Sequence, residues 1–285
     1  DVGGGPAGLE AAISAKKSGH HVTLVEKTNR LGGQLNLAIK PPFKEVHHLL
    51  NYQKNKIEAL GIKIKFGEKA DREMIEKMAP DVVIVATGAR AKEAPCPTIE
   101  CHNLMSAWEA LAVPERVGEK VVIIGGGSVG CETAEYLSGM SVEIEYHGMV
   151  DQGPEIKYTV LKRTDPEIKR KITIIELLDD IACDEEPGNR ALLMIRLKES
   201  GIQIVTHALP EEIKSDTVRY RDIPSLKTRE IKADTFIIST GIEPQQKLMT
   251  ELSGSGIRMI PVGDCTGPGT IKDAIYKAAL AVRQI

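Results

Sequence analysis

Two copies of one glycine loop constrain this chain more than any other feature. Gly3, Gly5 and Gly8 form Gly-x-Gly-x-x-Gly, followed by a helical stretch and by an apolar strand over 21–25 that ends in Glu26. In such a loop the first glycine permits a tight strand-to-helix turn, the second lets a pyrophosphate approach the backbone, and the third lets helix and strand pack closely. The phosphates then meet the helix N-terminus, where unpaired N–H groups and the dipole favour an anion. An acid about 20 residues on can accept hydrogen bonds from the ribose hydroxyls of an adenosine. The loop recurs at Gly125, Gly127 and Gly130, after an apolar strand over 120–124 and before a helix over 131–137. One such unit could serve any dehydrogenase, whereas two argue for a protein that holds a flavin and a nicotinamide.

The duplication extends further. Asp-Val-Val-Ile-Val-Ala-Thr-Gly at 81–88 is echoed by Asp-Thr-Phe-Ile-Ile-Ser-Thr-Gly at 234–241, and both read as buried parallel strands ending in a Thr-Gly turn. Two residues compete as the acid of the second unit. Glu145 lies about 20 residues beyond Gly125, as the spacing rule asks. Glu176 ends the better strand, 171–176, and copies the pattern before Glu26. Preferring Glu176 makes 140–170 an insertion, with a hairpin expected from 142–146 and 156–161.

Composition removes several alternatives. With 285 residues, 42% hydrophobic and 27% charged, the chain has the profile of a soluble two-domain protein. A net charge of -3 and 4% aromatic residues leave no footprint for nucleic acid. The sequence has neither an apolar run of membrane length nor a signal peptide, which reads as cytoplasmic. Five scattered cysteines, 96, 101, 131, 183 and 265, lack any Cys-x-x-Cys, so neither a disulfide framework nor a metal site is expected. His47 and His48 read as a solvated helix face, the acidic run over 179–186 as a solvated loop, and 207–232 as a polar meander. Only Asp1 and Val2 precede the first loop, so the first strand reads as truncated and the chain as a piece of a longer one.

Taken together, the residues at 3–8, Glu26, Ala86-Thr87-Gly88, 125–130, Thr240-Gly241 and Gly263-Asp264 resemble the two-dinucleotide-binding-domain flavoproteins. Arg30-Leu31-Gly32-Gly33-Gln34-Leu35, Ala38, Pro41-Pro42 and Val129-Gly130-Cys131-Glu132-Thr133-Ala134 narrow the likeness. They are similar to the C-terminal flavin and nicotinamide module of the 2,4-dienoyl-CoA reductase and 2-enoate reductase family, which includes trimethylamine dehydrogenase.

The resemblance implies an α/β fold of two Rossmann-like domains. The FAD domain would comprise 1–110 and 233–285, with the NAD(P)H domain, 111–232, inserted between. Cofactor contacts would come from Gly3, Gly5, Pro6, Ala7, Gly8, Glu26, Lys27, Arg30, Gly33, Gln34, Ala86, Thr87 and Gly88, and from Gly125, Gly127, Ser128, Val129, Gly130, Glu176, Thr240, Gly241, Gly263, Asp264 and Ile271. By the same likeness Asp264 would accept from a ribityl hydroxyl, Gly33 and Gln34 would line the isoalloxazine, and the helix from Ile271 would aim its N-terminus at the flavin, where that end favours negative charge.

The implied activity passes hydride from NADH to FAD and electrons onward. Their destination would be an upstream barrel of the same chain carrying FMN and a [4Fe-4S] cluster, where an enoate or dienoyl-CoA substrate is reduced. NADPH in place of NADH, ADP in place of FAD as a structural scaffold, a stand-alone NADH oxidase or disulfide reductase, and a homo-oligomer stay open. No acid, base or nucleophile is assigned, because in such chemistry the cofactors react and the protein orients them.

Overall fold

The computed structural model describes the chain except residues 43, 151–152 and 164–169, and over 140–163 it describes the backbone alone. The chain forms two compact units, 1–90 with 242–285 and the uninterrupted stretch 91–241.

In the first unit, Thr23–Glu26 pairs in parallel with Lys63–Phe66, and Val82–Val85 with Arg258–Pro261. Val2 joins the two pairs by bridging to Val25 and Val85. Its N–H donates to the Ile84 carbonyl at 2.9 Å and its carbonyl accepts from Ala86 N–H at 2.8 Å. The short stretch Asp1 and Val2 therefore stands at the centre of a parallel layer. Helices Pro6–Lys17 and Ile271–Val282 cover one face through Ala7, Ala11, Ala274 and Ala278, small residues that let two helices approach closely over Ile84 and Val262. Leu9, Ile13, Leu24 and Ile57 fill the space towards helix Val46–Ala59.

The second unit repeats the design in full. Five parallel strands run in the order Gln203–Val205, Lys171–Ile175, Lys120–Ile124, Thr235–Ile238, Leu104–Ser106. The valines and isoleucines of the three central strands form nearly continuous buried runs, as a parallel sheet covered on both faces requires. Helices Ser128–Leu137 and Pro187–Glu199 pack on one face through Cys131, Ala134, Leu193 and Leu197. Leu104–Ser106 is a sheet neighbour of Thr235–Ile238, and 91–110 and 233–241 fall in the second unit, whereas the family resemblance places them in the first.

The polar meander over 207–232 consists of regular strands. Ala208–Lys214, Thr217–Asp222 and Lys227–Lys232 pair antiparallel in turn, Thr98–Ile99 joins Ala208–Lys214 in parallel, and Ile213, Val218 and Tyr220 turn inward onto Phe236 and Ile238. Between helix Ser128–Leu137 and strand Lys171–Ile175, the strands Met140–Val150 and Gly153–Arg163 pair antiparallel, with Val150 opposite Gly153. The expected hairpin is therefore present and longer at both ends, while its turn, 151–152, lies outside the described residues. The two ends of this unit meet: Lys92 N–H donates to the Gly241 carbonyl at 3.0 Å.

Candidate functional site

Each unit carries its glycine loop at the C-terminal edge of its parallel strands, and the two loops are built alike. A side chain on Gly8 would collide with the Gly3 carbonyl, and one on Gly130 with the Gly125 carbonyl. Gly3 and Gly125 share a positive φ, 109° and 107°, and face the carbonyls of Ala86 and Ser239. These glycines let helix, loop and neighbouring strand touch. Gly5 is different: a Cβ there would find nothing nearer than Gly33 Cα at 4.0 Å, so the backbone of this turn is open to a ligand.

The acids occupy matching places. Glu26 is buried, its Oε2 accepting from Gly4 N–H at 2.7 Å and its Oε1 from Thr28 N–H at 2.8 Å. Glu176 repeats this arrangement, with Oε2 accepting from Gly126 N–H at 2.6 Å and Oε1 from Leu178 N–H at 2.9 Å. Each carboxylate is thus fixed against its own glycine loop. A carboxylate has about four acceptor sites, so each acid keeps lone pairs for further donors. Glu145 lies on the hairpin strand Met140–Val150.

The correspondence continues past the acids. Gly32 N–H donates to the Gly4 carbonyl and Ala182 N–H to the Gly126 carbonyl, both at 2.7 Å. Leu31 and Ile181, both buried, press on Gly4 and Gly126. Cys183 and Asp184 therefore stand where Gly33 and Gln34 stand in the first unit.

Here the twins part. Gln34 donates to Asp264 Oδ2 at 3.3 Å, and helix Pro6–Lys17 has no side chain capping its N-terminus. In the second unit Asp184 accepts from Ser128 N–H at 2.8 Å and from Ser128 Oγ at 2.7 Å, placing a carboxylate on the end of helix Ser128–Leu137. The acidic run expected as a solvated loop is thus tied to the glycine loop, with Ile181 and Ala182 buried beneath it. The sequence shows only the chemical capacity for this, since Asp184 and Ser128 are 56 residues apart.

The remaining candidates of the first unit gather around the same edge. Thr87 Oγ1 donates to the Gln245 carbonyl at 2.7 Å, and a Cβ on Gly88 would sit 3.9 Å from the Gln34 amide. Gly263 packs against Ala7, and Asp264 follows it. Burial pushes the Asp264 carboxyl above its ordinary range, against hydrogen bonds from Gly269 and Gln34. Lys27 and Arg30 are exposed. Ile271 opens helix Ile271–Val282, whose N-terminus carries a capping box in which Thr270 and Asp273 satisfy each other's N–H groups. Val129 is exposed beside Ser128, and Thr240 precedes Gly241, which lies near Lys92.

Burial raises the thiols of Cys96, Cys101 and Cys265, and pushes that of Cys131 up to about 12. Such thiols are poor nucleophiles. Among the described residues no cluster of His, Cys, Asp and Glu could hold a metal ion, and no helix is long and apolar enough to cross a membrane.

Comparison with known proteins agrees with this geometry. The model of the pyridine nucleotide-disulphide oxidoreductase family matches residues 2–264. An NADH oxidase from Thermoanaerobacter brockii is 34% identical over 295 residues, which cover 100% of this chain and 40% of that protein. A cinnamate reductase from Clostridium sporogenes is 41% identical over 145 residues, 50% of this chain and 21% of the relative. The solved structure of a 2-naphthoyl-CoA reductase in complex with 2-naphthoyl-CoA superposes with a TM-score of 0.85 at 26% identity, covering 100% of this chain and 39% of its own. Histamine dehydrogenase from Rhizobium sp. 4-9, at 18% identity and a TM-score of 0.83, shares the fold. The chain thus spans about two-fifths of the length of these larger enzymes. It belongs to the pyridine nucleotide-disulphide oxidoreductase family.

Proposed function

We propose that the chain is an electron-entry module that binds FAD through its first unit and NADH through its second, and serves a further domain that reduces an enoate or acyl-CoA. The duplicated acid on a glycine loop carries this reading. Two built nucleotide cradles in one chain fit a hydride donor and its acceptor. The open turn at Gly5 and the uncapped helix behind it suit the pyrophosphate of FAD. When bound, FAD and NADH supply the redox chemistry; the chain holds and orients them. Glu26 and Glu176, fixed by their loops, would each accept from a ribose hydroxyl. FMN, an iron–sulfur cluster and a barrel to hold them would lie in that further domain, outside the two-fifths of the relatives' length that this chain spans. The printed names of the relatives, cinnamate reductase and 2-naphthoyl-CoA reductase, support an unsaturated acid or thioester as substrate.

Preference for NADH rests on the surroundings of Glu176. Residues 177–180 are Leu-Leu-Asp-Asp, offering no cation to a 2′-phosphate. Arg190 is engaged by Asp180 and the Ile181 carbonyl, and Arg170 donates to the carbonyls of Pro114, Val117, Gly118 and Leu137. The test is an absorbance spectrum of the purified protein with steady-state dye reduction by both nicotinamides. One flavin per chain and faster turnover with NADH are expected. A colourless protein that retains ADP would replace the redox module with a scaffold, and equal use of NADPH would remove the preference.

A further inference from the structure

We infer that Asp184 is an internal anion that the incoming nicotinamide nucleotide must displace, so that this one carboxylate sets how tightly and how long the second unit holds its ligand. The inference rests on the proposed binding of NADH to the second unit and concerns its control.

The two loops supply their own comparison. In both, the helix N-terminus behind the glycines is where a pyrophosphate is stabilised by N–H groups and the dipole. In the first unit that end is left to a ligand: no side chain caps it, the residue in the place of Ser128 is Pro6, and the residue in the place of Asp184 is the neutral Gln34, turned to Asp264. In the second unit the chain's own carboxylate already binds there, through both the N–H and the hydroxyl of Ser128. A Cβ on Gly127 would lie 3.7 Å from Asp184 Oδ1, so the carboxylate also covers the glycine that corresponds to the open Gly5. Two anions cannot share one helix end without repulsion, and Asp184 is exposed, so water can receive it when it leaves. Arg190, on the following helix, is tied to Asp180 and the Ile181 carbonyl, which leaves Asp184 held chiefly by Ser128. The first loop is thus shaped for a permanently held dinucleotide and the second for one that comes and goes. That difference is what a hydride donor exchanged at every turnover requires.

Asp184→Asn tests the inference. The amide keeps the size of the side chain and can still accept from Ser128 N–H, but it carries no charge. In the full-length protein, fluorescence titration and stopped-flow dissociation of NADH are measured for wild type, Asp184→Asn and Asp184→Ala. ADP-ribose serves as a probe that has the pyrophosphate without the nicotinamide, and adenosine as one that has neither. Both variants are expected to bind NADH and ADP-ribose about three- to tenfold more tightly, mostly through slower release, with adenosine and flavin content unchanged. A damaged fold would weaken all three ligands, so tightening confined to the pyrophosphate probes distinguishes displacement from a structural cap. Unchanged or weaker NADH binding in both variants, or equal tightening of adenosine, overturns the displacement while the nucleotide site stands. Failure of wild type and variants alike to bind NADH overturns both.

Discussion

Glu26 and Glu176 each hold a glycine loop, and the proposed function gives each a second task, accepting from a ribose hydroxyl. They fix the glycine loop by accepting Gly4 or Gly126 N–H, and each keeps some acceptor capacity beyond its loop bonds. Removing one therefore orphans loop donors as well as the proposed ribose contact. Glu176→Ala is expected to raise KM for NADH at least tenfold and to cost about 1–3 kcal/mol of stability, while flavin content stays at the wild-type level. Steady-state kinetics alongside the flavin absorbance separate these effects. The cysteines make a second case. Cys131 is buried with its thiol pushed up to about 12, whereas Cys183 is exposed. Iodoacetamide at pH 8 is expected to label Cys183 first and leave Cys131 intact until unfolding, as peptide mass spectrometry would show. The loops and their acids were legible because glycine spacing and a strand-terminal acid are local patterns. Asp184 was not, because a cap supplied across 56 residues leaves no periodicity to read.

At the scale of elements, helix Ser128–Leu137 is anchored by an ion pair from Glu135 to Arg196 on helix Pro187–Glu199. Glu135 is almost fully buried, and burial holds its carboxyl above the ordinary 4.5 against the pull of Arg196. Arg196→Ala leaves that carboxyl buried without this partner and is expected to cost about 3 kcal/mol near neutral pH. The sign follows from the raised value. A carboxyl whose folded-state pKa lies above its unfolded one contributes stability below about pH 4.5 that is lost as pH rises through the folded value. The penalty in the variant should therefore grow from pH 4 to pH 7, which urea unfolding at a series of pH values would show. A penalty that shrinks on that path contradicts the assignment. Elements also mark where pattern reading stopped short. The parallel strands announce themselves as apolar runs, while Thr217–Asp222 hides an inward face of only Val218 and Tyr220 among arginines and acids. That alternation is a strand signal too weak to stand out beside charged neighbours.

For the whole molecule, the uninterrupted second unit has two hydrophobic clusters of its own, one on each face of its sheet. Residues 91–241 expressed alone are expected to melt cooperatively and to bind NADH but no flavin, as circular dichroism and a fluorescence titration would report. An unfolded fragment would show that the unit depends on the rest of the chain. The first unit is in the opposite position, because Val82–Val85 must find Arg258–Pro261 across the whole of the second. The hydrogen bond from Lys92 N–H to the Gly241 carbonyl bears on how that search is made. Once the second unit has folded, it fastens its own ends, and the loop to be closed shrinks from about 170 residues to about 25, lowering the entropic cost of closure by about 2 kcal/mol. The order of assembly is thereby written into the topology: on a growing chain the middle is complete while the last strand is still being synthesised, and it hands the outer unit two nearly adjacent ends to zip together.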